Sequence, residues 1–135
     1  MEVNYLALLV ASAAAFVAGA LWYSPMLFGK AWMKETGITA ADAKKNCKNP
    51  AMTYGIAFLS NVVTAYVLWY FMGMLEIVGS EAAAMLAFWI WLGFMAMKDL
   101  GGMLWEGSSF NLFLINTSHR LVNLVIMALI FANWV

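Results

Sequence analysis

The stretch FNLFLINTSHRLVNLVIMALIFANW, running from Phe110 to Trp134, is apolar enough to cross a bilayer, yet it carries Asn116, His119, Arg120 and Asn123 in its middle. Those four positions follow the spacing i, i+3, i+4, i+7, so on a helix they share one face. An Arg at mid-membrane depth costs roughly 2.5–3.5 kcal/mol on insertion scales, so such a face turns to protein or water and away from lipid. Any account of this chain has to say what lies opposite Arg120.

The rest of the composition agrees with a membrane setting. Of 135 residues, 65% are hydrophobic and 10% charged, and the mean hydropathy is +0.83. A soluble domain is nearer half apolar and a quarter charged. The formal net charge is zero, so no basic surface argues for nucleic acid. Val3 to Gly29 and Asn49 to Leu75 are uncharged, and each exceeds the ~20 residues that span a bilayer. Ala82 to Met97 is a shorter third run, and Gly107 to Val135 is broken only by His119 and Arg120. These runs predict one all-α integral membrane domain, a four-helix bundle with helices over about residues 3–23, 50–73, 82–105 and 110–134. A transmembrane barrel would need period-two alternation, which the sequence lacks. Cys47 is the sole cysteine, so no intramolecular disulfide can form.

The first helix resembles a signal peptide at Ala18-Gly19-Ala20, but its start holds Glu2 and no Lys or Arg, so a retained helix is expected. Ala11, Ala15 and Gly19 recur at every fourth position, a small-residue stripe that lets another helix approach closely. Trp22 and Tyr23 favour the headgroup level, Ser24 suits a helix cap and Pro25 a first helical position. A short amphipathic helix from Met26 to Glu35 follows, with Leu27, Phe28, Ala31 and Trp32 opposite Lys30 and Lys34, within an interfacial segment over 25–48. Thr39 and Asp42 have the spacing of a capping box. Asn49-Pro50 opens the second membrane helix, where Thr53, Ala57, Ser60, Asn61 and Thr64 form a small or polar side expected to face other helices. Ser80 is the expected cap of the third helix, whose far end carries Gly101-Gly102, a site for bending or partial unwinding.

The run Gly19-Ala20-Leu21-Trp22-Tyr23-Ser24-Pro25-Met26-Leu27-Phe28-Gly29-Lys30-Ala31-Trp32 resembles the signature of a family of small membrane proteins known only as domain of unknown function family 1761. Trp105-Glu106-Gly107 and Leu112-Phe113-Leu114-Ile115-Asn116 continue the likeness, which covers essentially the whole chain. The resemblance implies four membrane helices. It brings no activity, substrate or site residue.

If the last two helices form a hairpin turning at Gly107, Asp99 lies near the level of Ile115, and a long Arg120 side chain leaning toward its own N-terminus can reach it. Glu106 is the rival partner. One reading makes the cluster of Asn61, Thr64, Asp99, Asn116, His119, Arg120 and Asn123 a packing device. A second makes it the lining of a wet cavity that binds or passes a small polar or anionic solute. A third uses His119 with Asp99 or Glu106 as an enzyme acting on lipid. No nucleophile–base arrangement is visible, one His without further ligands makes no metal site, and no cofactor is expected. The methionines and aromatic residues read as packing.

The leading functional expectation is a homo-oligomer or an accessory subunit of a membrane complex, with a small transporter or channel as the alternative. Its expected partners are the bilayer and either itself or other membrane subunits. Lys30, Lys34, Lys44, Lys45 and Lys48 fall between the first two helices, so the loop over 24–49 is expected to be cytoplasmic and both termini outside, in a bacterial inner membrane.

Overall fold

A computed structural model describes residues 2–46 and 49–134; Cys47 and Lys48 of the lysine-rich loop lie outside the described residues. The fold is all-α. In chain order the helices are α1 (Tyr5–Trp22), α2 (Gly29–Thr36), α3 (Ala40–Asn46), α4 (Pro50–Met74), α5 (Ser80–Trp105) and α6 (Phe110–Asn133). Four of them, α1, α4, α5 and α6, are long and apolar enough to cross a membrane. The chain is therefore a membrane-embedded helical protein.

Local chemistry sets most boundaries. The Asn4 and Asn49 side chains accept from the N–H groups of Ala7 and Met52, capping α1 and α4, with Pro50 in the first turn of α4. Ser109 caps α6 in the same way through Leu112 N–H at 3.1 Å. Thr39 and Asp42 satisfy each other's backbone N–H at 3.1 Å and open α3 as a capping box.

Two expected caps are corrected. Ser24 does not start a helix: its hydroxyl donates to the Leu21 carbonyl, and its own carbonyl accepts from Leu27 and Gly29 N–H. The chain thus makes a tight turn and α2 begins only at Gly29. That glycine is buried, and a Cβ there would collide with the Tyr23 and Ser24 backbone. At α5 the cap position belongs to Gly79 at φ +89°, a conformation glycine tolerates, and the Ser80 hydroxyl instead accepts from Asn133 at 2.9 Å.

α6 is the central helix. α1 packs along one side of it and α5 along the other; α4 leans mainly on α1, and α4 and α5 hardly touch. The small-residue stripe of α1 is consumed inside this bundle and is not available to a neighbour. Ala11 and Ala15 are fully buried, and Gly19 gives room to His119, whose Nε2 would lie 2.9 Å from any added Cβ. The main apolar core, built around Leu8, Leu68, Ala83, Ala87, Leu124, Met127 and Ala128, is centred in the half of the bundle away from the lysine-rich loop.

The irregularity of α5 lies at Leu92–Ala96, a single π turn, while Gly101-Gly102 sits in regular helix. The expected break at the glycine pair is therefore misplaced by about two turns. A π turn holds one residue more than an α turn and rotates everything after it by about 100°. Ala83 and Ala87 mark the face buried in the core. In an uninterrupted helix Lys98, eleven positions after Ala87 and so about three turns on, would continue that face. The extra residue hands this place to Asp99. We therefore expect deletion of Gly93, which restores regular helix upstream, to leave the bundle folded in a thermal melt. Insertion of one alanine after Met97 sets Lys98 against Arg120 and should abolish folded protein.

Candidate functional site

Arg120 lies ten positions into α6, about 15 Å from its start. Its guanidinium Nη1 is 3.2 Å from Asp99 Oδ1, so Asp99 and not Glu106 is the partner. The pair is lopsided. The Asp99 side chain is 16% exposed and Arg120 48%, and a single N–O contact joins them. Asp99 Oδ2 is buried with no partner. The guanidinium faces the gap left between α4 and α5.

Around this pair the helices leave clefts. One of about 460 Å³ is lined by Tyr23, Ser60, Asn61, Thr64, Met95, Asn116, His119, Arg120 and Asn123, with Leu124 and Met127 as its apolar floor. A second of about 300 Å³ is lined by Lys98, Asp99, Gly102, Glu106 and Ser108 together with Leu112, Phe113 and Asn116. A third, about 340 Å³, shares Ser60, Asn61, His119 and Asn123 with the first and reaches Gly19 and Thr53. The polar cluster read from the sequence is thus assembled in one place. The polar side of α4 departs from expectation, because Ser60, Asn61 and Thr64 line open clefts in place of packing on another helix. Ser60 and Thr64 satisfy their hydroxyls on their own helix, through the Ala57 and Ser60 carbonyls.

Trp22 and Tyr23 turn inward against α6. The Trp22 indole donates to the Ile115 carbonyl at 3.0 Å and the Tyr23 hydroxyl to Asn116 Oδ1 at 2.8 Å. Tyr23 packs edge-on to His119 and to Trp32, with ring centroids 5.0 and 6.2 Å apart. On the other flank the Trp91 indole donates to the Thr117 carbonyl at 2.6 Å, next to the π turn. Pro25 is exposed in the turn before α2. His119 Nε2, Asn123 Oδ1 and Thr117 Oγ1 are buried without hydrogen-bond partners.

One contact had no signal in the sequence. Glu35, at the end of α2, accepts from the Ser109 hydroxyl at 2.6 Å and the Asn111 amide at 3.2 Å, tying the interfacial helix to the start of α6. Those bonds, Ser109 first, hold the Glu35 carboxyl below its ordinary range, with nearby Lys34 adding to the effect. Among the described residues no three His, Cys, Asp or Glu side chains gather as a metal site.

A family model described as "Protein of unknown function (DUF1761)" matches residues 6–132. The chain belongs to that family. No curated protein and no solved structure matches it.

Removing one partner of the Asp99–Arg120 pair strands the other charge, whereas removing both does not. Arg120→Leu should lower unfolding stability in bilayer-mimetic detergent by about 2 kcal/mol or more, a value reduced from the fully buried case because Arg120 is half exposed. The double substitution Asp99→Leu, Arg120→Leu should recover part of that loss. Glu35 gives a pH signature. Because its folded pKa is depressed, its contribution is complete above the unfolded value near 4.3 and lost as pH falls through the lower folded value. Proteolysis of the α2–α3 segment should therefore accelerate below about pH 4 in the native protein. It should already be fast, and independent of pH, in Glu35→Ala.

Proposed function

We propose that this DUF1761 protein works as a homo-oligomeric membrane subunit in which a second copy covers the opening between α4 and α5. One observation carries the reading: Arg120, ten positions into α6, is 48% exposed beside that opening. Lipid is a poor neighbour for a guanidinium there, so protein or water must meet it. An apolar groove of about 230 Å³, lined by Val63, Val67, Leu68, Phe71, Ile90 and Met95, continues the same opening toward the apolar half. The combined face is apolar below and polar above. It carries donors and acceptors together, on Asn61, Thr64, Arg120 and Asn123, so it is suited to meet itself about a two-fold axis.

By the excess of Lys on the α1–α4 connection, that loop lies in the cytoplasm of a bacterial cell and the outer ends of α1 and α6 lie outside. The same geometry weakens an anion-transport reading. Arg120 is already neutralised by Asp99, and beyond Leu124 the opening continues only as an apolar groove. Transport would need a path completed by the partner copy. No catalytic role is assigned to His119, which meets aromatic rings and Gly19.

In a Cys47→Ser background, Val67→Cys on the rim of the opening should form a disulfide-linked dimer on mild oxidation in native membranes. Leu9→Cys, exposed on α1, should not. A Val67→Cys protein that stays monomeric, with a monomer mass in mild detergent, would contradict the proposal.

A further inference from the structure

The clefts also differ in where they lead. The cleft beside Asp99 and Glu106 lies at the lysine-rich end of the hairpin, next to the turn at Gly107. It shares Asn116 with the cleft around Arg120, which in turn shares His119 and Asn123 with the cleft beside Gly19. Asn116, His119 and Asn123 thus stand between neighbouring clefts from that end to the level of Arg120. Beyond Asn123 the wall becomes Leu124, Met127 and Ala128, at most 2% exposed and packed against Ala83, Ala87 and Leu68.

The walls also have unmet needs. Asp99 Oδ2 and Asn123 Oδ1 are buried acceptors with no donor, and His119 Nε2 is buried without any partner. Arg120 keeps N–H groups free on its exposed side, having one contact with Asp99. The three buried atoms lie behind the cleft walls, whereas the exposed Arg120 N–H groups, Ser60 and Asn61 face hundreds of Å³ of space, polar and roomy enough to hold water. The fixed charges lining the first two clefts balance, Lys98 and Arg120 against Asp99 and Glu106.

We infer that these clefts form a one-sided hydrated vestibule, entered from the lysine-rich side and dry beyond mid-membrane, where the opening continues only as the apolar groove beside Leu124. It takes water and small uncharged hydrogen-bonding solutes, because it presents donors and acceptors together and no net charge. It requires that lipid tails stay out of the opening between α4 and α5, whichever protein surface covers it.

The test is thiol labelling in sealed vesicles of each orientation, in a Cys47→Ser background. Ser60→Cys and Asn123→Cys report the vestibule and Ala128→Cys the core. Membrane-impermeant cationic and anionic methanethiosulfonates are used, each rate corrected for reaction with free thiol. Both vestibule positions should react from the lysine-rich side at least ten times faster than Ala128→Cys, with the two reagents within a few-fold of each other. Equal labelling from both sides, no advantage over Ala128→Cys, or a tenfold preference for the anionic reagent would overturn it. Water-to-amide magnetisation transfer on the unsubstituted protein needs no variant to fold. It should reach the side-chain amides of Asn61 and Asn123, and no transfer to either would overturn the inference equally.

Discussion

A guanidinium held about 15 Å into a membrane helix is the constraint the rest of this structure answers. α5 spends a π turn at Leu92–Ala96 to bring Asp99, and not Lys98, onto the face that meets Arg120. α1 ends in Trp22 and Tyr23, whose polar tips bond to Ile115 and Asn116 one turn before it. α4 presents Asn61 and Thr64 across the cleft. These features are scattered over the chain, and only Arg120 gives them a common purpose.

The bundle divides accordingly into two halves held by different forces. In the half away from the lysine-rich loop, small residues on α1 and α5 admit Leu124, Met127 and Leu68 closely, and contact packing is enough. In the other half, hydrogen bonds take over from contact packing. Indole-to-carbonyl bonds from Trp22 and Trp91, the Tyr23–Asn116 bond and the Glu35 link fasten its elements to α6 while leaving space between them. A cleft can survive there because its walls are fixed by directional bonds and do not need to collapse on one another.

Much of this was legible in the sequence. Uncharged runs gave four spans to within two residues at either end, and the spacing of Asn116, His119, Arg120 and Asn123 announced a shared polar face. Helical rise and the lean of side chains toward the N-terminus put Asp99 within reach of Arg120, with Glu106 as a rival, and the structure decides for Asp99. The rest was not legible, for physical reasons. A π turn leaves no periodic mark in an apolar helix, whereas Gly101-Gly102 is a visible candidate for a break yet sits in regular helix. The direction of Trp22 and Tyr23 depends on free carbonyl oxygens of α6, which no local pattern reveals. The stripe of Ala11, Ala15 and Gly19 shows that a helix wants a close neighbour, but cannot say that the neighbour is α6 of the same chain. Glu35 finds Ser109 and Asn111 across more than seventy residues of sequence.

The most direct measurement is a high-resolution experimental structure in a lipid nanodisc, read for what lies within hydrogen-bonding distance of Arg120. Asp99, ordered water and a second copy of the chain across α4 and α5, with no water below Leu124, is the arrangement expected. A lone chain with acyl tails filling the gap beside Arg120 would contradict both the oligomeric reading and the division into a wet half and a dry one.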